Sequence, residues 1–229
     1  MENFRSRSKD AIRGLFIWFT SLMVTTIIVA ISFQWLDRPI ALLAHHVPRA
    51  SNNGTWEWLT RIPNPLIPLA LIAFVVLGLR ALLGRSLSNR QAVAFVCSLS
   101  VIVTETAKDQ LKFLFGRTWP ESWMGNNPSF IRDGVYGFNF LHGGGAYQSF
   151  PSGHMAAACA VLSVLWICYP RLRWFWVAGG LAVGAGLVGA NYHFLSDVIA
   201  GGFLGISAGW LVSSIWKMSG LSPSPKRHG

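Results

Sequence analysis

The sequence predicts an all-α, polytopic membrane protein with six transmembrane helices, organised as one domain over residues 1–229. Three observations predict it. Apolar residues make up 52% of the chain and charged residues only 12%, a low charge content for a soluble chain of this length. The apolar residues gather into windows of the roughly 17–25 residues that a bilayer-crossing helix requires. The Lys and Arg residues are distributed unevenly about those windows, as the positive-inside rule describes. No linker rich in Pro, Gly and Ser, no charge block and no internal repeat divides the chain.

The first span is expected at about 14–35. Arg5, Arg7, Lys9 and Arg13 precede it, a charge order that signal peptides share. Its apolar stretch is too long for one and lacks a small-x-small cleavage site, so an uncleaved helix is expected. Residues 36–62 are mixed. Asp37-Arg38-Pro39, apolar Ile40 to Val47 and a polar turn at Ser51-Asn52-Asn53-Gly54 predict one or two short interfacial helices. His45 and His46, with no adjacent carboxylate, are read as structural. The second span is expected at 65–84 and the third at 91–115.

The third span ends in Glu105, Lys108, Asp109 and Lys112. Their spacings of three and four put them on one helical face. Glu105 and Asp109 are read as members of a salt-bridged stripe buried against neighbouring helices. Lys112 is last and nearest the outer water. Residues 116–150 form a long polar loop, uncommon in a compact domain unless it is functional. Trp119, Trp123, Phe130, Tyr136, Phe138, Phe140, Tyr147 and Phe150 argue for a packed cap there. The remaining spans are expected at 153–169, 174–192 and 195–216. Trp35, Trp56, Trp58, Trp119 and Trp123 flank the outer edge, and Trp166, Trp174, Trp176 and Trp216 the inner, as an aromatic belt does. Cys97, Cys159 and Cys168 fall within or at the ends of spans and read as small packing residues.

The net charge of +10 does not point to nucleic acid, because no soluble segment carries a basic stripe interleaved with aromatics. Arg5, Arg7, Lys9, Arg13, Arg80, Arg85, Arg90, Arg171, Arg173, Lys217, Lys226 and Arg227 fall on one side of six alternating helices. Arg38, Arg49, Arg61, Arg117 and Arg132 fall on the other, with Lys108 and Lys112 near the end of the third span. Both termini are therefore expected in the cytoplasm, with some attraction to anionic lipid.

That topology carries four remote segments to one membrane face. Lys112 and Arg117 close the third span. Pro151-Ser152-Gly153-His154 opens the fourth, His193 follows the fifth and Asp197 begins the sixth. Ionisable groups at a membrane edge mark a functional site by default. Ser152-Gly153-His154 opens a helix, whose free amides and partial positive charge suit an anion. Lys112 and Arg117 add charge suited to phosphate oxygens. His193 and Asp197 are one helical turn apart, so the carboxylate can fix the imidazole tautomer and stabilise its charged form. His154 can protonate a leaving oxygen. Metal binding is not expected, since there is no compact H-x-x-x-H or carboxylate cluster.

These residues resemble the type 2 phosphatidic acid phosphatase superfamily, integral-membrane lipid phosphatases related to vanadium haloperoxidases. The family's P-S-G-H motif matches Pro151-Ser152-Gly153-His154 in full. The H-x3-D end of its third motif matches His193 and Asp197. Its K-x6-R-P motif is altered here to Lys112-Phe113-Leu114-Phe115-Gly116-Arg117-Thr118-Trp119-Pro120. The resemblance covers about residues 90–216 and implies a helical core of the phosphatase/haloperoxidase type. It implies that His193 forms a phosphohistidine, that Asp197 orients it and that His154 is the general acid. Lys112, Ser152 and Gly153 would hold phosphate. Two arginines of the pattern are missing, replaced by Trp119 and by Leu187 in Gly186-Leu187. Arg117 is expected to substitute for one, and Asn191 or Arg132 for the other.

The expectation is thus a cytoplasmic-membrane lipid phosphatase with its site facing outside or the periplasm, needing no metal or other cofactor. It would act on a lipid phosphate among membrane lipids, with no nucleic-acid partner. A lipid phosphotransferase using the same intermediate and a catalytically weakened lipid-binding homologue are the alternatives.

Overall fold

A computed structural model describes residues 2–46, 54–122 and 125–218. The polar turn at 51–53, Trp123, Lys226 and Arg227 lie outside the described residues. The chain is helical nearly throughout, without strands among those residues. Five stretches are long and apolar enough to cross a membrane: Ile12–His46, Thr55–Leu82, Asn89–Phe115, Pro170–Gly189 and Leu195–Lys217. The outward faces carry Phe16, Met23, Leu69, Ile72, Val76, Phe175 and Leu181, all exposed. That much exposed aliphatic and aromatic surface fits hydrocarbon, not water.

Helix α1 (Glu2–Ile31) does not stop at residue 35 as expected. It passes through one wider turn at Ser32–Leu36, where Asp37 N–H donates to the Ser32 carbonyl, and continues as α2 (Asp37–His46). Pro39 explains the widening, because it has no N–H to give the carbonyl four residues back. Helix α3 (Thr55–Arg61) is the second short helix expected between 36 and 62. Pro63 and Pro65 separate it from α4 (Leu66–Leu82).

Helix α5 (Asn89–Phe115) starts at a capping box in which Ser88 and Gln91 satisfy each other's backbone amides. It ends at Gly116, whose φ of 53° is left-handed. Only glycine fits, since a Cβ there would overlap the Asn139 carbonyl. Residues 116–150 fold back as the expected cap, containing the one-turn helix α6 (Phe130–Asp133). Its aromatics stack on the wide turn that follows α1. Phe33 lies 4.8 Å from Tyr136 and 5.0 Å from Phe138, centroid to centroid.

Helix α7 (Gly153–Cys168) is the fourth expected span, and it is not among those five stretches. At 16 residues it is about 24 Å long, shorter than the roughly 30 Å hydrocarbon core. It sits in the centre, packed against α5, α8 (Arg173–Gly189) and α9 (Leu195–Met218). Its buried residues, Ala156, Ala157, Ala158, Cys159, Ala160 and Val164, include more than one full turn, so the helix is enclosed on all sides there. Gly201, Gly205 and Gly209 of α9 lie against it. A Cβ on Gly205 would come within 2.8 Å of the Ala160 nitrogen. Small residues every four positions allow this close backbone approach, the usual device for helix pairing in lipid. The remaining core is Val183, Leu187 and Val198 beside Ala158, and Val96, Val164 and Val212 lower down. Cys97, Cys159 and Cys168 are unpaired thiols, Cys168 being exposed.

Candidate active site

The lysine end of α5, the start of α7 and the α8–α9 connection meet around one cavity of about 350 Å³. Lys108, Lys112, Trp119, Gly153, His154 and His193 line it, with Glu105 beneath and Pro63, Asn64 and Ile67 as its wall from the start of α4. Four of the residues singled out in the sequence, Lys112, Gly153, His154 and His193, are therefore brought together.

Local structure sets each one. Ser152 is the N-cap of α7, its hydroxyl accepting from Met155 N–H, and is fully buried. Gly153 is small because Lys108 runs past it; a Cβ there would lie 2.9 Å from Lys108 Cδ. His154 Nε2 faces Asn64 Oδ1 at 2.9 Å. With an amide oxygen as acceptor, Nε2 is the nitrogen that carries hydrogen. His193 follows Asn191, whose φ of 58° is left-handed. That turn lets Tyr192 and His193 N–H both reach the Leu187 carbonyl, fixing the ring against Trp119 at 5.1 Å between centroids.

Asp197 lies in the first turn of α9 and accepts from Phe194 N–H at 3.0 Å, so it caps its own helix. Its Oδ2 is 3.6 Å from His193 Nδ1 and also accepts from Ser149 Oγ at 2.6 Å. Contacts of this kind tighten when substrate binds. Burial is the main influence on His193 and pushes its pKa below the ordinary imidazole value, while Asp197 resists the shift. The ring is held neutral, the form a nucleophile needs.

Four expectations are corrected. Arg117 does not reach the cavity. It is fully buried, with Nη1 donating to Asp197 Oδ1 at 2.5 Å and to Ser196 Oγ at 2.6 Å. Its Nη2 donates to Asp37 Oδ2 at 2.7 Å. Burial disfavours its charge, but Asp197 and Asp37 together hold its pKa above the usual value. Rings of Phe194, Phe33, Phe138 and Tyr136 enclose the guanidinium, Phe194 at 4.4 Å. Asn191 is also turned away, its amide donating to the Ala41 carbonyl at 2.9 Å and to Glu121 at 3.2 Å. Arg132 sits in the cap, bonded to Asp133, Asn126 and the Asn127 carbonyl. None of the three replaces a missing arginine. In the α5 stripe, Lys108 binds Glu105 at 2.6 Å and Asp109 at 3.2 Å. Asp109 is 66% exposed, not buried as expected. His45 pairs with Glu121 at 2.7 Å, a structural tie.

Sequence reasoning missed Asp37, Ser149, Ser196, Tyr136 and Asn64. Asp37 carried a legible signal, being a carboxylate at the end of a long apolar run. The others carried none, since a Ser, Tyr or Asn in a loop acquires meaning only from its neighbours in space.

A central short helix whose N-terminus opens onto two histidines and two lysines, within a bundle that presents an apolar surface, defines an integral-membrane phosphatase of the helical type. Comparison with known proteins agrees. The sequence pattern of the PAP2 superfamily matches residues 92–220, and the chain belongs to that superfamily. It is a lipid phosphatase, a phosphoric ester hydrolase. A lipid A 1-phosphatase of Rhizobium etli is 27% identical over 215 residues, covering 89% of this chain and 87% of that protein. A lipid A 1-phosphatase of Rhizobium johnstonii is 26% identical, covering 89% and 83%. Among solved structures, a transmembrane PAP2-type phosphatidylglycerolphosphate phosphatase from Bacillus subtilis has a similar fold, with a TM-score of 0.55 at 19% identity. The match covers 93% of this chain and 98% of that one.

Proposed function

We propose that this phosphatase hydrolyses a phosphate monoester or diphosphate of a lipid through a phosphohistidine at His193, without a metal, on the extracytoplasmic face. One observation carries the reading: His154, His193 and Lys112 line the same cavity as the α7 N-terminus. His193 Nε2 attacks phosphorus as the bond to the lipid oxygen breaks. His154 gives that oxygen its proton, and Asp197 holds the imidazolium that forms. His154 then takes a proton from water as the water's oxygen attacks the phosphohistidine. Inorganic phosphate leaves and both histidines are restored. Lys112 and the free amides of α7 receive the phosphoryl oxygens.

The arginines missing at Trp119 and Leu187 are not replaced in kind. Leu187 is buried in the apolar core, and Trp119 lies between His193 and Lys112, 5.9 Å from the latter's ammonium. Lys108, one turn below Lys112 on α5, is the second cation of the cavity. The uneven Lys and Arg distribution supports placing this end of the bundle outside.

The test is phosphate release by the full chain in detergent, with and without a chelator. Lipid A 1-phosphate comes first, because of the rhizobial relatives, followed by phosphatidylglycerophosphate and phosphatidic acid. Release is expected to be unaffected by chelator and to fall about a thousandfold or more in His193→Ala and His154→Ala. Undiminished turnover in His193→Ala contradicts the reading. Transfer of phosphate to a second lipid, with none released, selects the phosphotransferase instead.

A further inference from the structure

We propose that Asp37, outside the stretch that matches the family pattern, is a positioning residue of the reaction: it shares the Arg117 charge and so keeps Asp197 available to His193. The inference rests on the reading of His193 as nucleophile.

The geometry is a buried relay. Asp37 and Asp197 flank Arg117, and the side chains of all three are fully buried. Asp37 Oδ1 accepts from Ser196 N–H at 2.9 Å and Oδ2 from Ser196 Oγ at 2.5 Å. The same Oδ2 takes Arg117 Nη2. Asp37 thereby caps α9 one residue before Asp197 and binds the cation that Asp197 also binds. The wide turn at Ser32–Leu36 brings it there. Such turns insert a residue into the helix and recur at functional positions.

The charge arithmetic gives Asp37 its role. A single Asp197–Arg117 pair would be neutral, with little left to stabilise a cationic imidazole. A second carboxylate on the same guanidinium leaves the cluster at net −1. The cluster meets His193 through Asp197, whose Oδ2 is 3.6 Å from Nδ1, and Coulomb attraction is stronger in a buried setting than in water. Among the described residues, the other charged or titratable groups of the cavity that His193 lines are Lys112, Lys108 and Glu105 on α5, His154 on α7 and Tyr192 in the α8–α9 connection. Tyr136 completes the surroundings of Arg117, its hydroxyl 3.2 Å from both Nη2 and Asp37 Oδ2.

The experiment compares pH–rate profiles of the purified full chain, wild type against Asp37→Asn. Removing one negative charge lowers the His193 pKa and weakens the hold on its cationic form. The acid limb is therefore expected to move down by about one pH unit, and kcat to fall about tenfold with KM little changed. A role confined to folding would reduce the amount of active protein without moving the limb. Ser196→Ala, a smaller change that loosens Asp37 from the relay, should move limb and kcat in the same directions, to a smaller extent. It decides the matter if Asp37→Asn does not fold. An unchanged limb and kcat in the folded variant overturns the proposal. His193→Ala is assayed in parallel, and activity surviving there refutes the underlying mechanism, a result distinct from failure of the Asp37 inference.

Discussion

Arg117 and His193 show how much one side chain can decide. Replacing Arg117 by Ala leaves two buried carboxylates, Asp37 and Asp197, without their cation. Breaking a buried pair in this way costs about 3–5 kcal/mol, so a marked drop in melting temperature is expected along with loss of kcat. A phosphate ligand would instead raise KM and leave stability intact. For His193 the sign follows from its lowered pKa. The ring stays neutral to a pH below the usual value of about 6.5, so the acid limb of kcat/KM should lie below that value. A limb above it would mean that burial does not govern the ring. Lys112, His154 and His193 were legible in the sequence because alternating spans send their segments to one face. Arg117 was misplaced because chain proximity to Trp119 says nothing of direction. The left-handed Gly116 turns the chain as it leaves α5, and Arg117 enters the interior beneath the cap.

Among the elements, the α7–α9 pair is the most demanding. Gly205 leaves no room for a side chain against the backbone of Ala156 and Ala160. Gly205→Leu should destabilise the protein by about 3 kcal/mol and displace both Gly153-His154 and Asp197, since these lie at the adjoining ends of the two helices. Thermal melting in detergent checks it; a variant as stable as wild type would show that the helices are not in backbone contact. The apolar runs made these helices visible, and Ser152-Gly153-His154 marked the start of α7; the Ser88 capping box that starts α5 was not read. The continuation of α1 into α2 was not visible. Pro39 reads as a stop in sequence, yet one wide turn accommodates it. The pairing of Asp37 with Arg117, 80 residues apart, has no trace in local pattern and arises only when α1 packs on α9.

At the scale of the whole molecule, the arrangement places the cap at one end and the α7–α8 turn at the other. Leu141 in the cap is exposed, as is Cys168 at the opposite end. With the cap outside, a membrane-impermeant thiol reagent should label Leu141→Cys in intact cells and Cys168 only after permeabilisation. The reverse pattern would invert the topology. The chemistry itself is tested most directly by trapping. Brief reaction with a lipid carrying labelled phosphate, followed by denaturation in base, should leave label on His193 in the wild type and none in His193→Ala. Label on another residue, or full turnover with His193 absent, would contradict the account.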